Sequence, residues 1–130
     1  MNKPFSIAAR GRSFTFAFRG IATMLKSQHN AWIHAAATVL VVAAGFYFQL
    51  TGAEWCWIVL AVMAVWTAEA LNTAFEFLAD ATSPNYHPLI GKAKDVAAGA
   101  VLVSAIGAAV IGLLVLGPHL LEKFPNLGRF

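Results

Sequence analysis

The sequence predicts an all-α integral membrane protein: an N-terminal amphipathic helix on the membrane surface, followed by three transmembrane helices, in a single domain of 130 residues. Apolar residues make up 59% of the chain and charged residues only 12%, about half the charged share of a soluble domain. The mean hydropathy of +0.69 means that much of the apolar surface needs a solvent other than water. The apolar residues also gather into three stretches, at about 31–50, 55–80 and 93–117, each near or above the roughly 20 residues a helix needs to cross the hydrocarbon. Such a composition excludes a disordered chain and an ordinary soluble domain.

Residues 1–29 form the expected surface segment. Five of the nine cations lie here, Lys3, Arg10, Arg12, Arg19 and Lys26, interleaved with Phe5, Phe14, Phe16, Phe18, Ile21, Met24 and Leu25. A cleavable signal peptide would place its apolar core directly after a short basic start, which this segment does not do. From Phe14 to Leu25 the apolar residues recur mainly at spacings of three and four, the pattern of a helix lying in the interface with its cations toward anionic headgroups. The net charge of +3 does not point to nucleic acid, because the basic residues form no patch with stacking aromatics on a solvated fold. The lone Cys56 offers neither a disulfide nor a cysteine-based metal site.

Three spans follow. The connection Gln49–Glu54 has no Lys or Arg, whereas the loop from Thr82 to Asp95 holds Lys92 and Lys94, so positive-inside bias places the N-terminus and this loop in the cytoplasm. Lys123 and Arg129 then fall on the opposite side, outweighed by the seven cations inside. In the third span Ala100, Ser104, Ala108 and Gly112 repeat every four residues, a small-residue stripe suited to close helix packing in lipid. Three helices shield a polar site from lipid poorly, so copies of the chain are expected to associate.

The chemistry concentrates at the end of the second span. Glu69, Asn72, Glu76 and Asp80 interrupt an otherwise apolar helix, and at 100° per residue they fall within about 80° of one another. A carboxylate in the hydrocarbon region costs roughly 3 kcal/mol or more, so this stripe calls for a metal, a proton or a partner to offset it. Glu76 and Asp80, the latter above all, also admit a plainer reading, as acids snorkelling at the helix end. If the second and third spans are antiparallel neighbours, Lys94 and Asp95 lie at the level of Glu76 and Asp80. Acids, asparagine and lysine together suit Mg²⁺ and polyphosphate. No GxxxxGK[ST] or GxGxxG loop and no HExxH motif occurs, which excludes P-loop and soluble-kinase folds and zinc hydrolases of that type. His29 and His34 flank the start of the first span, where an interfacial polar role is the plainer reading and a direct catalytic role the alternative.

The strings Glu69-Ala70-Leu71-Asn72-Thr73-Ala74-Phe75-Glu76, Ser83-Pro84-Asn85-Tyr86-His87-Pro88 and Gly91-Lys92-Ala93-Lys94-Asp95-Val96-Ala97-Ala98-Gly99-Ala100 resemble the prokaryotic diacylglycerol kinase family, which includes undecaprenol kinases. Phe16-Ala17-Phe18-Arg19-Gly20 and Asn30-Ala31-Trp32-Ile33-His34 fit as well, so the resemblance covers roughly residues 13–117. It implies a homotrimer in the bacterial inner membrane that transfers the γ-phosphoryl group of MgATP to the hydroxyl of a lipid alcohol. In the family the residue matching Glu69 is the general base, and that matching Glu76 binds Mg²⁺. Those matching Asn72, Lys94 and Asp95 complete the catalytic and nucleotide site, which is shared between protomers. The resemblance likewise assigns Phe16, Asp80 and Asn85, Tyr86 and His87 to the nucleotide. Where many members carry a second metal-binding glutamate this chain has Gln28, whose amide oxygen can ligate Mg²⁺ but brings no charge.

A rival reading is a small oligomeric proton-coupled transporter with Glu69 as its coupling carboxylate. It needs a polar path across the bilayer, yet Trp55 to Val65 is apolar throughout. A purely structural subunit leaves the acid stripe without a purpose. No residue names the lipid, although the segments Asn30–His34 and Ser83–Pro88 look more like the undecaprenol kinase branch.

Overall fold

The computed structural model describes residues 6–83, 85 and 87–125. Lys3 and Phe5 of the basic segment, Pro84 and Tyr86 of the second loop, and Arg129 lie outside the described residues. Four helices follow one another, α1 (Ile7–Ser27), α2 (His29–Tyr47), α3 (Gly52–Thr82) and α4 (Pro88–Lys123), and the last three are long and apolar enough to cross a membrane. At 1.5 Å per residue, the 31 residues of α3 and the 36 of α4 reach about 46 and 54 Å, well beyond a ~30 Å hydrocarbon layer. Both helices outrun the apolar stretches seen in the sequence, because backbone hydrogen bonding continues through polar residues that end an apolar run.

The helix boundaries have local causes. Helix α1 stops where Gln28 turns extended (φ −114°, ψ 118°), and α2 starts at the next residue. After α2, Gln49 adopts a left-handed conformation (φ 57°) while the Leu50 amide returns to the Gly45 carbonyl at 3.0 Å, closing off the helix end. Thr51 then caps α3 in a reciprocal box with Glu54: the Glu54 amide donates to Thr51 Oγ1 at 3.4 Å, and the Thr51 amide donates to Glu54 Oε2 at 2.7 Å. Helix α4 opens with Pro88 in its first turn behind the cap His87, whose Nδ1 accepts from the Leu89 amide at 3.3 Å.

Helix α3 is central, and its most extensive packing is against α4. Its buried residues Ile58, Ala61, Val65, Glu69 and Asn72 follow spacings of three and four, so the polar residues continue the same face that forms the apolar core. The expected small-residue stripe on α4 divides. Ala108 and Gly112, with Ala105 and Ala109, line a crevice shared with α2 and α3, whereas Ala100 lies in a broad apolar groove on the other side of α3. A spacing of four drifts about 40° per step in a straight helix, so three steps carry the stripe from one face toward another. Most large apolar side chains of α2 and α4 are exposed, Val39, Leu40, Leu113 and Leu114 among them, as suits helices bathed in lipid or covered by other copies.

The end of the bundle remote from the acid stripe is fastened by polar contacts. His119 Nε2 lies 2.8 Å from Glu54 Oε1, tying the start of α3 to the end of α4, and Lys123 Nζ sits 4.0 Å from the centre of the Tyr47 ring. Helix α1 is exposed along most of its length and meets the bundle at its last turn, where Met24 is buried.

Candidate active site

Because Glu69, Asn72 and Glu76 extend the buried face of α3, they emerge into a cavity of about 250 Å³ between α2, α3 and α4. Asn30, Ile33 and His34 close it from α2, and Ala98, Val101, Leu102 and Ala105 from α4. Exposure rises along the stripe: Glu69 is fully buried, Asn72 buried, Glu76 half-buried and Asp80 exposed.

Glu76 is the best-partnered member. The Asn72 amide donates to its Oε1 at 3.1 Å and the Gln28 amide to its Oε2 at 2.5 Å. Gln28 stands at the joint between α1 and α2, so the extended conformation that ends α1 also aims this side chain at α3. Glu69 is the opposite case. Neither of its carboxylate oxygens has a hydrogen-bond partner among the described residues, and the closest ionisable neighbour is His34, whose Nε2 lies 3.8 Å from Oε2.

The other expected site residues fall elsewhere within one chain. Lys94 Nζ pairs with Asp80 Oδ1 at 3.1 Å, outside the Glu69 cavity, and Asp95 is exposed nearby on α4. Asn85 is exposed in the loop, its carbonyl accepting from Ser83 Oγ at 2.7 Å, and His87 is exposed as the cap of α4. Phe16 is exposed on α1 with Arg19 stacked 5.9 Å from its ring centre.

Among the described residues no three of His, Cys, Asp and Glu converge as a preformed metal centre. The groups around Glu76 nonetheless fit Mg²⁺ in kind: one carboxylate and two amides supply hard oxygen donors, and Asn72 Oδ1 is buried without a hydrogen-bond partner among the described residues. As they stand, both amides turn nitrogen toward Glu76, and a half-turn about the terminal bond of either would present oxygen instead.

Two features come from the tertiary structure. His34 is a wall of the cavity, facing Glu69, not an interfacial residue alone. Beside it, Trp66 Nε1 donates to Thr38 Oγ1 at 3.1 Å, and Thr38 Oγ1 donates to the His34 carbonyl at 2.7 Å. The available signal was the pair His34 and Thr38, one turn apart inside an apolar span.

Helices long enough to cross a membrane, with a buried carboxylate and an acid–amide cluster at one end, define a small multi-pass membrane protein built for polar chemistry at its boundary. Residues 15–116 match the family described as prokaryotic diacylglycerol kinase, and the chain belongs to that family. It is 41% identical to the undecaprenol kinase of Bacillus subtilis, over 84% of this chain and 89% of the relative. It is 38% identical to a diacylglycerol kinase of Synechocystis, over 85% of this chain and 63% of the relative, and 29% identical to the diacylglycerol kinase of Escherichia coli K12, over 82% and 93%. The protein is therefore a membrane lipid kinase, and the transporter alternative is not favoured.

Proposed function

We propose that the protein transfers the γ-phosphoryl group of MgATP to the hydroxyl of a long-chain lipid alcohol, with undecaprenol favoured over diacylglycerol, at the cytoplasmic face of the bacterial inner membrane. The observation that carries this reading is the buried Glu69 carboxylate, without a hydrogen-bond partner among the described residues, two helical turns, or about 10 Å, from the Glu76 cluster in one cavity. A lipid hydroxyl is a weak nucleophile at neutral pH, and a carboxylate within reach takes its proton as the bond to phosphorus forms. The hydroxyl oxygen bonds to the γ-phosphorus, the bond from phosphorus to the ADP oxygen breaks, and the proton passes to Glu69.

Glu76, Asn72 and Gln28 would hold Mg²⁺, which neutralises charge on the phosphates. Lys94 serves as a compact cation for the nucleotide, and the family resemblance assigns Asp95, Asp80, Asn85, Tyr86, His87 and Phe16 to the same ligand. Since Lys94 and Asp95 lie outside the Glu69 cavity of their own chain, a homotrimer in which neighbouring copies complete each site is the assembly that fits the chemistry.

Undecaprenol is favoured by the 41% identity to an undecaprenol kinase, and the cavity walls Ile33, Val101, Leu102 and Ala105 suit the hydrocarbon of a lipid alcohol of either kind. Purified protein given MgATP with each lipid in turn tests the reading. Faster phosphorylation of undecaprenol is expected. Preference for diacylglycerol would overturn the choice of lipid, and no lipid phosphate from either would overturn the kinase assignment of this site.

A further inference from the structure

We infer that His34 and Glu69 form a proton-transfer pair, in which Glu69 receives the proton of the lipid hydroxyl and His34 carries it out of the buried site. The inference rests on the reading of Glu69 as the general base and assigns a role to a residue which that reading leaves idle.

The burial of Glu69 creates the need. Its side chain has 0% exposure and neither oxygen has a hydrogen-bond partner among the described residues, so a proton taken there does not pass directly to bulk solvent. Turnover requires that the carboxyl group be emptied again. Of the residues lining the cavity, α4 contributes Ala98, Val101, Leu102 and Ala105, none of which titrates. Helix α3 adds Glu76, an acid already engaged by two amides, and α2 adds Asn30, Ile33 and His34. Among the described residues His34 is thus the one basic group lining this cavity with Glu69, and its side chain is 15% exposed where that of Glu69 is 0% exposed.

The geometry is held by neighbouring contacts. Trp66 stands one turn before Glu69 on α3, and Thr38 one turn after His34 on α2. The chain of hydrogen bonds from Trp66 to Thr38 to the His34 carbonyl therefore forms a second rung beside the His34–Glu69 pair and fixes the height of one helix against the other. The 3.8 Å separation is about 1 Å longer than a hydrogen bond, so the transfer requires a side-chain rotation that brings the two groups together.

The hydroxyl proton moves to a Glu69 oxygen as the oxygen–phosphorus bond forms. The carboxyl O–H then passes its proton to the free Nε2 of neutral His34, leaving a carboxylate and an imidazolium. The imidazolium loses its Nδ1 proton to solvent, which the partial exposure of the ring admits, and exchange with water returns the ring to its starting tautomer.

The test compares His34→Ala, His34→Gln and Glu69→Gln by steady-state kinetics across pH, with and without added imidazole. His34→Ala should lower kcat by about tenfold or more while leaving the KM for MgATP within about twofold, should lose the acid limb of the kcat–pH profile, and should recover activity with imidazole. His34→Gln, which keeps polarity and most of the volume, should show the same kcat loss and supplies the measurement if the alanine variant does not fold. Unchanged kcat in either His34 variant, or a loss that keeps the wild-type pH profile and ignores imidazole, overturns the pair. If Glu69→Gln retains wild-type kcat, the reading of Glu69 as base fails first; an inactive Glu69→Gln beside an unaffected His34→Gln removes the relay alone.

Discussion

The side-chain amide of Gln28 donates to Glu76 Oε2 across 48 positions of sequence, joining the end of the N-terminal helix to the acid stripe of α3. Gln28→Glu would set a second carboxylate against Glu76. Two anions at hydrogen-bonding distance repel, and a divalent cation between them reverses the sign of that interaction. The variant should have a lower Tm than wild type without Mg²⁺, regain it when Mg²⁺ is added, and need several-fold less Mg²⁺ for half-maximal activity. Thermal denaturation and an activity titration, each against Mg²⁺, measure the two effects. Unchanged Mg²⁺ dependence in both would place the metal away from Gln28.

Glu69→Gln keeps the shape of the side chain and removes the carboxylate proposed as the base. It should depress kcat by roughly a hundredfold or more with little change in the KM for MgATP. A selective rise in that KM would make Glu69 a metal ligand instead.

Lys94 and Asp80 are 40% and 71% exposed, and an ion pair so open to solvent contributes at most about 1 kcal/mol. Lys94→Ala should therefore leave the Tm and the oligomer seen by size exclusion in detergent nearly unchanged while abolishing turnover. Loss of the oligomer would assign Lys94 to assembly.

Gly45 admits the indole of Trp55. A Cβ at this position would lie 2.6 Å from Trp55 Cη2 and 2.8 Å from Cζ2, both closer than carbon atoms tolerate. Gly45→Ala should destabilise the protein by about 1–3 kcal/mol, the usual cost of overpacking, and Trp55→Phe in the same chain should restore part of it. A Tm equal to wild type for Gly45→Ala would show that the connection between α2 and α3 repacks freely.

Topology has a direct measurement. A reporter active only outside the cytoplasm should work when fused after Phe130 and fail at the N-terminus, following the cation-rich segment and the Lys92–Lys94 loop. The reverse pattern would put the Glu76 end of the bundle on the side without ATP.

The sequence by itself determined the helices, the three apolar crossings and the shared face of Glu69, Asn72, Glu76 and Asp80, because length, hydropathy and the 100° step are properties of each segment alone. The tertiary structure decided what that face meets. Glu69 lies beside His34, Glu76 takes hydrogen bonds from Gln28 as well as Asn72, and Asp80 leaves the stripe to pair with Lys94. These juxtapositions depend on the height and rotation of one helix against another. Small residues such as Ala105 and Gly112 in the crevice between helices, the turn at Gln49 and the hydrogen-bonded rung from Trp66 to Thr38 act on that relation jointly, and no single helix's periodicity records it.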